Sequence, residues 1–175
     1  MKAYLAGPEV FLPDAVEIGA RKKAICRAHR FEGLYPIDDS VVGEGGAAAR
    51  RIFAANIGLI RSCDLVLANL TPFRGVSADV GTAFEVGAAF AIGKPVFAYS
   101  NEPRSYSERA TPDGMAIEDF GGFDNLMLTE ALGGFVSPPD GRPLPLGDLA
   151  VFQACVAMAA QALGDAPQSQ RRMAL

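Results

Sequence analysis

The sequence predicts an α/β protein with a doubly wound, mainly parallel sheet and helices on both faces. Three observations carry this. Short apolar runs of strand length alternate with longer segments of helical periodicity. The run "CDLVLANL" (63–70) is nearly all apolar, as a central strand covered on both faces requires. The 175 residues show no internal repeat and no second composition block, so residues 1–163 read as one domain and 164–175 as a disordered tail.

The elements follow in order. "KAYLA" is the first strand and stops at Gly7-Pro8, because Pro8 restricts the residue before it and cannot donate to a ladder. Asp14 is a candidate N-cap for a helix running to Arg30, with Ile18, Ala24, Ile25 and Ala28 as its apolar positions. A short strand near "FEGLYP" leads to a turn-rich loop over 36–46. "AAARRIFAANIGLIRS" is a second helix whose apolar face is Ile52, Ala55, Leu59 and Ile60. After the central strand, "TPFRGVSA" is a loop, Asp79 an N-cap for a helix over 80–92, and "KPVFAYS" the next strand. Residues 101–123 are a long excursion with little periodicity. "NLMLTEAL" is a short helix or a strand plus turn, "SPPDGRPLPLGD" a link, and "LAVFQACVAMAAQAL" the closing helix.

Composition excludes several functions. The formal net charge of −4, with scattered basic residues, argues against nucleic acid or an anionic membrane as partner. Cys26, Cys63 and Cys155 form no framework, which suits a reducing compartment. "AYLAGPEVFL" lacks the apolar core of a secretory leader and no run is long enough to span a bilayer, so the expected location is cytoplasmic. The phosphate cradles G-x-x-x-x-G-K-[ST] and G-x-G-x-x-G are missing, as is the G-x-S-x-G elbow. A single histidine, His29, makes His-based triads improbable, and no cluster has metal-ligand spacing. Neither metal nor cofactor is expected, and carboxylate chemistry remains.

In a doubly wound sheet ligands bind outside the carboxyl ends of the strands. Here those ends, near 4–9, 69–77 and 99–101, converge beside the start of the helix over 80–92. Within "VGTAFEVGAAFAIG" the one acid is Glu85, and no Lys or Arg stands three or four residues away to pair with it. It either reaches water past its small neighbours or stands at the rim of a cleft that Gly81, Gly87, Ala88 and Ala89 leave open. Asp79 reads as an N-cap or as a second carboxylate at the same edge. Two such acids match the parts needed to break a glycosidic bond.

The motifs "YLAGPEVF", "NIGLIRSCDLVLANLTPFRG", "DVGTAFEVGAAFAIGKPVFAY" and "DFGGFDNLML", in that order over residues 2–130, resemble the nucleoside 2-deoxyribosyltransferase family. The joined "PFRG…D-x-G-T-A-F-E-x-G" block is the most specific part. The resemblance implies a flavodoxin-like fold of about five mainly parallel strands and exchange of the base on a 2′-deoxynucleoside. It implies that Glu85 is the nucleophile attacking C1′, that the Tyr4 hydroxyl orients it, and that Asp79 contacts the base or its proton. It further implies that Asn125 is supplied by a neighbouring subunit to the sugar 5′-hydroxyl, hence a homo-oligomer. Asn56 stands where some members carry Asp; its amide offers a donor and an acceptor to a base edge but no titratable proton. Gly7, Phe73 and Arg74 complete the expected substrate-binding set: Gly7 shapes the turn after the first strand, and Phe73 stacks on a base or packs on the sheet.

The partners expected are therefore a 2′-deoxynucleoside and a free nucleobase. Covalent capture divides one hard substitution into two easier ones. Tyr4 and the positive end of the helix are expected to keep Glu85 ionised. Two other functions compete with transfer. One is N-glycoside hydrolysis of a 2′-deoxynucleoside or its 5′-monophosphate, with water as acceptor; the other is a non-catalytic nucleotide-sensing module. The acid of "GPEVFLP", Glu9, is expected to repel phosphate and so to favour a free 5′-hydroxyl.

Overall fold

The computed structural model describes residues 1–37 and 45–165. Of the expected tail over 164–175, Gly164 and Asp165 instead end the closing helix, while residues 166–175 and most of the loop over 36–46 lie outside the described residues. Five parallel strands form one sheet: β1 (Lys2–Ala6), β2 (Glu32–Leu34), β3 (Leu65–Asn69), β4 (Val96–Tyr99) and β5 (Gly134–Val136). Their spatial order is β2-β1-β3-β4-β5. That order is flavodoxin-like and puts the topological switch point, where ligands bind in such sheets, between β1 and β3.

Strand alternation sorts the side chains into two cores. Ala3, Leu5, Leu65, Leu67, Phe97 and Tyr99 point to one face. There α1 (Ala15–Ala28) and α6 (Ala150–Asp165) cover them with Ile18, Cys26, Phe152, Cys155 and Val156. Tyr4, Ala6, Val66, Ala68, Val96 and Ala98 point the other way, under α2 (Gly45–Ser62) and α3 (Val80–Ala91), which contribute Ile60, Val86 and Ala89. The register aligns Ala6, Ala68 and Ala98 in one row across β1, β3 and β4. These small side chains take up little room beneath the helices near the carboxyl edge, while Tyr4, two residues earlier on β1, is the one large polar side chain of that face.

Two helices turn inward differently from the periodicity. In α1 the buried stripe is Ala15, Ile18, Gly19, Lys22 and Cys26; Ala24 and Ala28 are exposed. The inward position at 22 belongs to a lysine that has a buried acid as partner, which hydropathy cannot anticipate. In α2 Ile60 is buried but Ile52 is 44% exposed, and Ala48 takes the inward place near the helix start. β5 was not evident in the sequence. Its three half-buried residues begin at Gly134, where a Cβ would stand 2.9 Å from Met158 Sδ. The excursion over 101–123 contains a single turn, α4 (Tyr106–Arg109), whose Ser105 and Glu108 form a capping box. "NLMLTEAL" supplies another turn, α5 (Leu126–Thr129).

Candidate active site

Asp79 caps α3: its Oδ2 accepts from the Thr82 backbone N–H at 2.9 Å and from the Thr82 hydroxyl at 3.1 Å. From that start, Glu85 lies in the second turn on a half-buried face above β1. Tyr4, on the same side of the sheet, donates its hydroxyl to Glu85 Oε1 at 2.6 Å. Eighty-one residues of sequence separate the pair, and the strand–helix packing closes the gap.

The electrostatics of Glu85 differ from the expectation. Burial pushes its pKa up, Tyr4 works against that, and the negative charge of Asp79 adds to the rise; the result is about 7. Near neutral pH the free carboxyl is therefore only about half ionised. Desolvation outweighs the Tyr4 hydrogen bond. Tyr4 is pushed far above the ordinary phenol range, first by burial and then by the adjacent Glu85 charge, so its hydroxyl acts only as a donor.

At the end of β1, a Cβ on Gly7 would meet Glu9 Oε2 at 2.1 Å and Asn69 Cβ at 2.9 Å. Only glycine allows β1, β3 and Glu9 to approach this closely. Glu9 is fully buried, bonded by Lys22 Nζ at 2.9 Å and by the Tyr99 hydroxyl at 2.6 Å. Burial opposes its ionisation, but Lys22 and Tyr99 prevail and hold its pKa below the usual carboxylate range. Lys22 in turn lies 4.7 Å from the Phe152 ring centroid and 5.6 Å from that of Tyr99. Glu9 thus anchors the turn from inside and its charge is matched by Lys22, so the expected repulsion of phosphate by Glu9 does not hold.

The anchored 3₁₀ turn Pro8–Phe11 presents Phe11 to the loop after β3, where its ring stacks on Phe73 at 5.4 Å and 12°. The Arg74 guanidinium lies 4.9 Å from the Phe73 centroid and 5.5 Å from that of Phe11. Arg74 has φ 56°, a left-handed conformation that non-glycine residues seldom adopt. Phe73, itself half-buried, therefore packs on the exposed ring of Phe11. Phe11 is the aromatic that residue-by-residue reading passed over, although it closes the motif "YLAGPEVF".

On the flanking helix, Phe53 of α2 meets Phe84 of α3 at 5.9 Å. Asn56, one turn beyond Phe53, has a buried Oδ1 with no partner among the described residues, an acceptor left open beside the Glu85 helix. Asn125 is placed elsewhere. It caps α5, accepting from the Met127 N–H at 3.0 Å, and borders a groove of about 570 Å³ lined by Val80, Ala83, Gly87, Phe90 and Met127. Glu85 is not part of that lining. One chain thus brings together Tyr4, Glu85 and Asp79 and leaves Asn125 on another side of α3.

Among the described residues no group of three or more His, Cys, Asp or Glu is arranged to hold a metal ion, and no helix is long and apolar enough to cross a membrane. The arrangement offers a carboxylate with a fixed donor, a second acid one and a half turns away and an aromatic pair with a cation at one sheet edge. Such a set can capture an electron-poor carbon and hold a flat, polar-edged ring.

The family model for nucleoside 2-deoxyribosyltransferase matches residues 3–127. The chain belongs to the nucleoside 2-deoxyribosyltransferase family. Its enzymes act on nucleosides. The structure is similar to a 2-deoxyribosyltransferase from Leishmania mexicana, with a TM-score of 0.72 and 33% identity over 91% of this chain and 97% of that one. A CMP N-glycosidase from Clostridium botulinum shares the fold at a TM-score of 0.52 and 13% identity, over 91% of this chain and 99% of that one. An uncharacterized protein of Schizosaccharomyces pombe is 33% identical over 111 residues, which are 61% of this chain. The chain spans about half the length of that curated relative. The matched span of this nucleoside 2-deoxyribosyltransferase family member contains positions Tyr4, Gly7, Asn56, Phe73, Arg74, Asp79, Glu85 and Asn125.

Proposed function

We propose that this chain exchanges the base of 2′-deoxynucleosides through a covalent ester on Glu85. The observation that carries the reading is the 2.6 Å hydrogen bond from Tyr4 to Glu85 Oε1, which fixes one carboxylate oxygen and leaves Oε2 to react. In the first half-reaction Oε2 attacks C1′, the C1′–N bond breaks, and its electron pair leaves with the base. The transition state has oxocarbenium character, which the anionic Glu85 stabilises. Asp79, whose Oδ1 makes no hydrogen bond among the described residues, is the group that meets the base or its proton. In the second half-reaction a ring nitrogen of the acceptor base attacks C1′ and Glu85 leaves as carboxylate. A 2-deoxy sugar lacks the electron-withdrawing 2′-hydroxyl, so it reaches this transition state more easily than a ribose does.

The open Asn56 Oδ1 supplies an acceptor for a base N–H, and Phe11, Phe73 and Arg74 form a flat surface on which the base stacks. Asn125 serves the sugar 5′-hydroxyl of a second copy of the chain. The apolar surface around it, including Val80 at 85% exposure and Met127 at 74%, suits such a contact.

The test is to incubate the purified protein with deoxyinosine, with and without adenine, and to separate the products. Deoxyadenosine formed only with adenine supports transfer. Hypoxanthine and deoxyribose released at equal rates in both tubes would replace transfer by hydrolysis. No turnover with deoxyinosine or thymidine would support a sensing role.

A further inference from the structure

With Glu9 neutralised inside the protein, another group must decide between a free 5′-hydroxyl and a 5′-phosphate. Both amide-side contacts of Asn125 point to one candidate. Asn125 Nδ2 donates to Glu118 Oε1 at 3.0 Å and to Oε2 at 3.1 Å, and the Leu126 N–H also donates to Glu118 Oε2 at 3.1 Å. Asn125 Oδ1 already holds the Met127 N–H. The donors of this corner are thus turned toward Glu118. What it presents outward is the remaining lone pairs of Asn125 Oδ1 and of the Glu118 carboxylate, all of them acceptors. Among the described residues no Lys or Arg forms an ion pair with Glu118, so its charge is not cancelled.

We propose that Glu118, by holding the Asn125 amide and adding a negative charge, makes this corner a receptor for a free 5′-hydroxyl that rejects a 5′-phosphate. The inference rests on the reading that Asn125 serves the sugar of a neighbouring copy. A 5′-hydroxyl donates one hydrogen bond to either acceptor. A phosphate monoester carries close to two negative charges at neutral pH and offers chiefly acceptors, so it finds no donor here and meets a like charge. Glu118 is thereby a specificity determinant for nucleoside over nucleoside 5′-monophosphate, contributed by the excursion over 101–123.

The experiment compares kcat/KM for deoxyinosine and deoxyinosine 5′-monophosphate in the wild type, Glu118→Gln and Glu118→Ala. Gln keeps the shape and an acceptor for Asn125 while removing the charge and adding a donor. The wild type should favour the nucleoside, and the ratio of the two kcat/KM values should fall at least tenfold in Glu118→Gln, mainly through a lower KM for the monophosphate. In the wild type the preference should weaken as salt is raised. A ratio unchanged in both variants would overturn the proposal and leave Glu118 a structural cap, and a wild type that prefers the monophosphate would overturn it directly. Glu85-dependent turnover with an unchanged ratio refutes only the Glu118 inference. Absence of any Glu85-dependent base release refutes the underlying reading, and the inference with it.

Discussion

Replacing Tyr4 by Phe removes one oxygen from a buried strand position and leaves the ring in place. The lost bond is short and charge-assisted, from a phenol donor to Glu85 Oε1 at 2.6 Å. Bonds of this kind contribute about 1.5–3 kcal/mol. At 1.36 kcal/mol per pH unit, that corresponds to about one to two pH units in the titration of Glu85. The sign follows from which form reacts. Ionised Glu85 is the nucleophile, so activity rises with pH through its pKa, which lies at about 7 in the intact protein. Without Tyr4, burial and the Asp79 charge act unopposed, and the acidic limb of kcat/KM should move alkaline by about one to two pH units. At pH 7 the rate should drop about 5- to 50-fold from ionisation alone, and much of it should return near pH 9. The assay is base release from deoxyinosine over pH 5–9.5. An acidic limb that stays in place in Tyr4→Phe would refute the claim that this hydrogen bond keeps Glu85 ionised, and would leave Tyr4 at most a steric role.

Three further outcomes are expected. Glu85→Gln should stabilise the fold at high pH: burial raises the folded pKa from the ordinary 4.5 to about 7, so ionising Glu85 costs about 3 kcal/mol above pH 8. Thermal unfolding should show the variant ahead there by several degrees, with the gap closing below about pH 4.5, where Glu85 is neutral in both states. Lys22→Met leaves Glu9 buried without its cation and should destabilise by about 3–5 kcal/mol in denaturant unfolding, with part recovered by adding Glu9→Gln. Finally, Glu85→Ala and Asn125→Ala, each nearly inactive alone, should regain activity when their subunits are mixed and allowed to exchange. In a mixed pair one site keeps its own Glu85 and the partner's Asn125. Absence of complementation between subunits shown to exchange would place Asn125 outside the neighbour's site.

The encounter of Tyr4 with Glu85 was expected from the family resemblance alone, since nothing in the local pattern of either residue pairs positions eighty-one apart. The continuous apolar character of 65–68 likewise marked the central strand. Four features were not legible. Lys22 occupies an inward position of α1 because Glu9 waits there, a pairing across thirteen residues that hydropathy assigns to solvent. The altered pKa of Glu85 depends on how much water α2 and α3 exclude, which is a property of packing. Glu118 lies in a segment without periodicity, and its link to Asn125 forms only when the excursion folds back on α5. β5, three residues long, is too short to show a period at all.

The central claim is that Glu85 forms a bond to the sugar. Acid-quenched enzyme, digested after mixing with deoxyinosine in the absence of acceptor base, should yield by mass spectrometry one peptide heavier by a deoxyribosyl group. Fragmentation should place the added mass on Glu85, and Glu85→Ala should lack it while losing at least about 10³-fold in kcat, about 4 kcal/mol of barrier. An adduct that fragments to another residue, or a Glu85→Ala enzyme that loses less than about tenfold, would contradict the account.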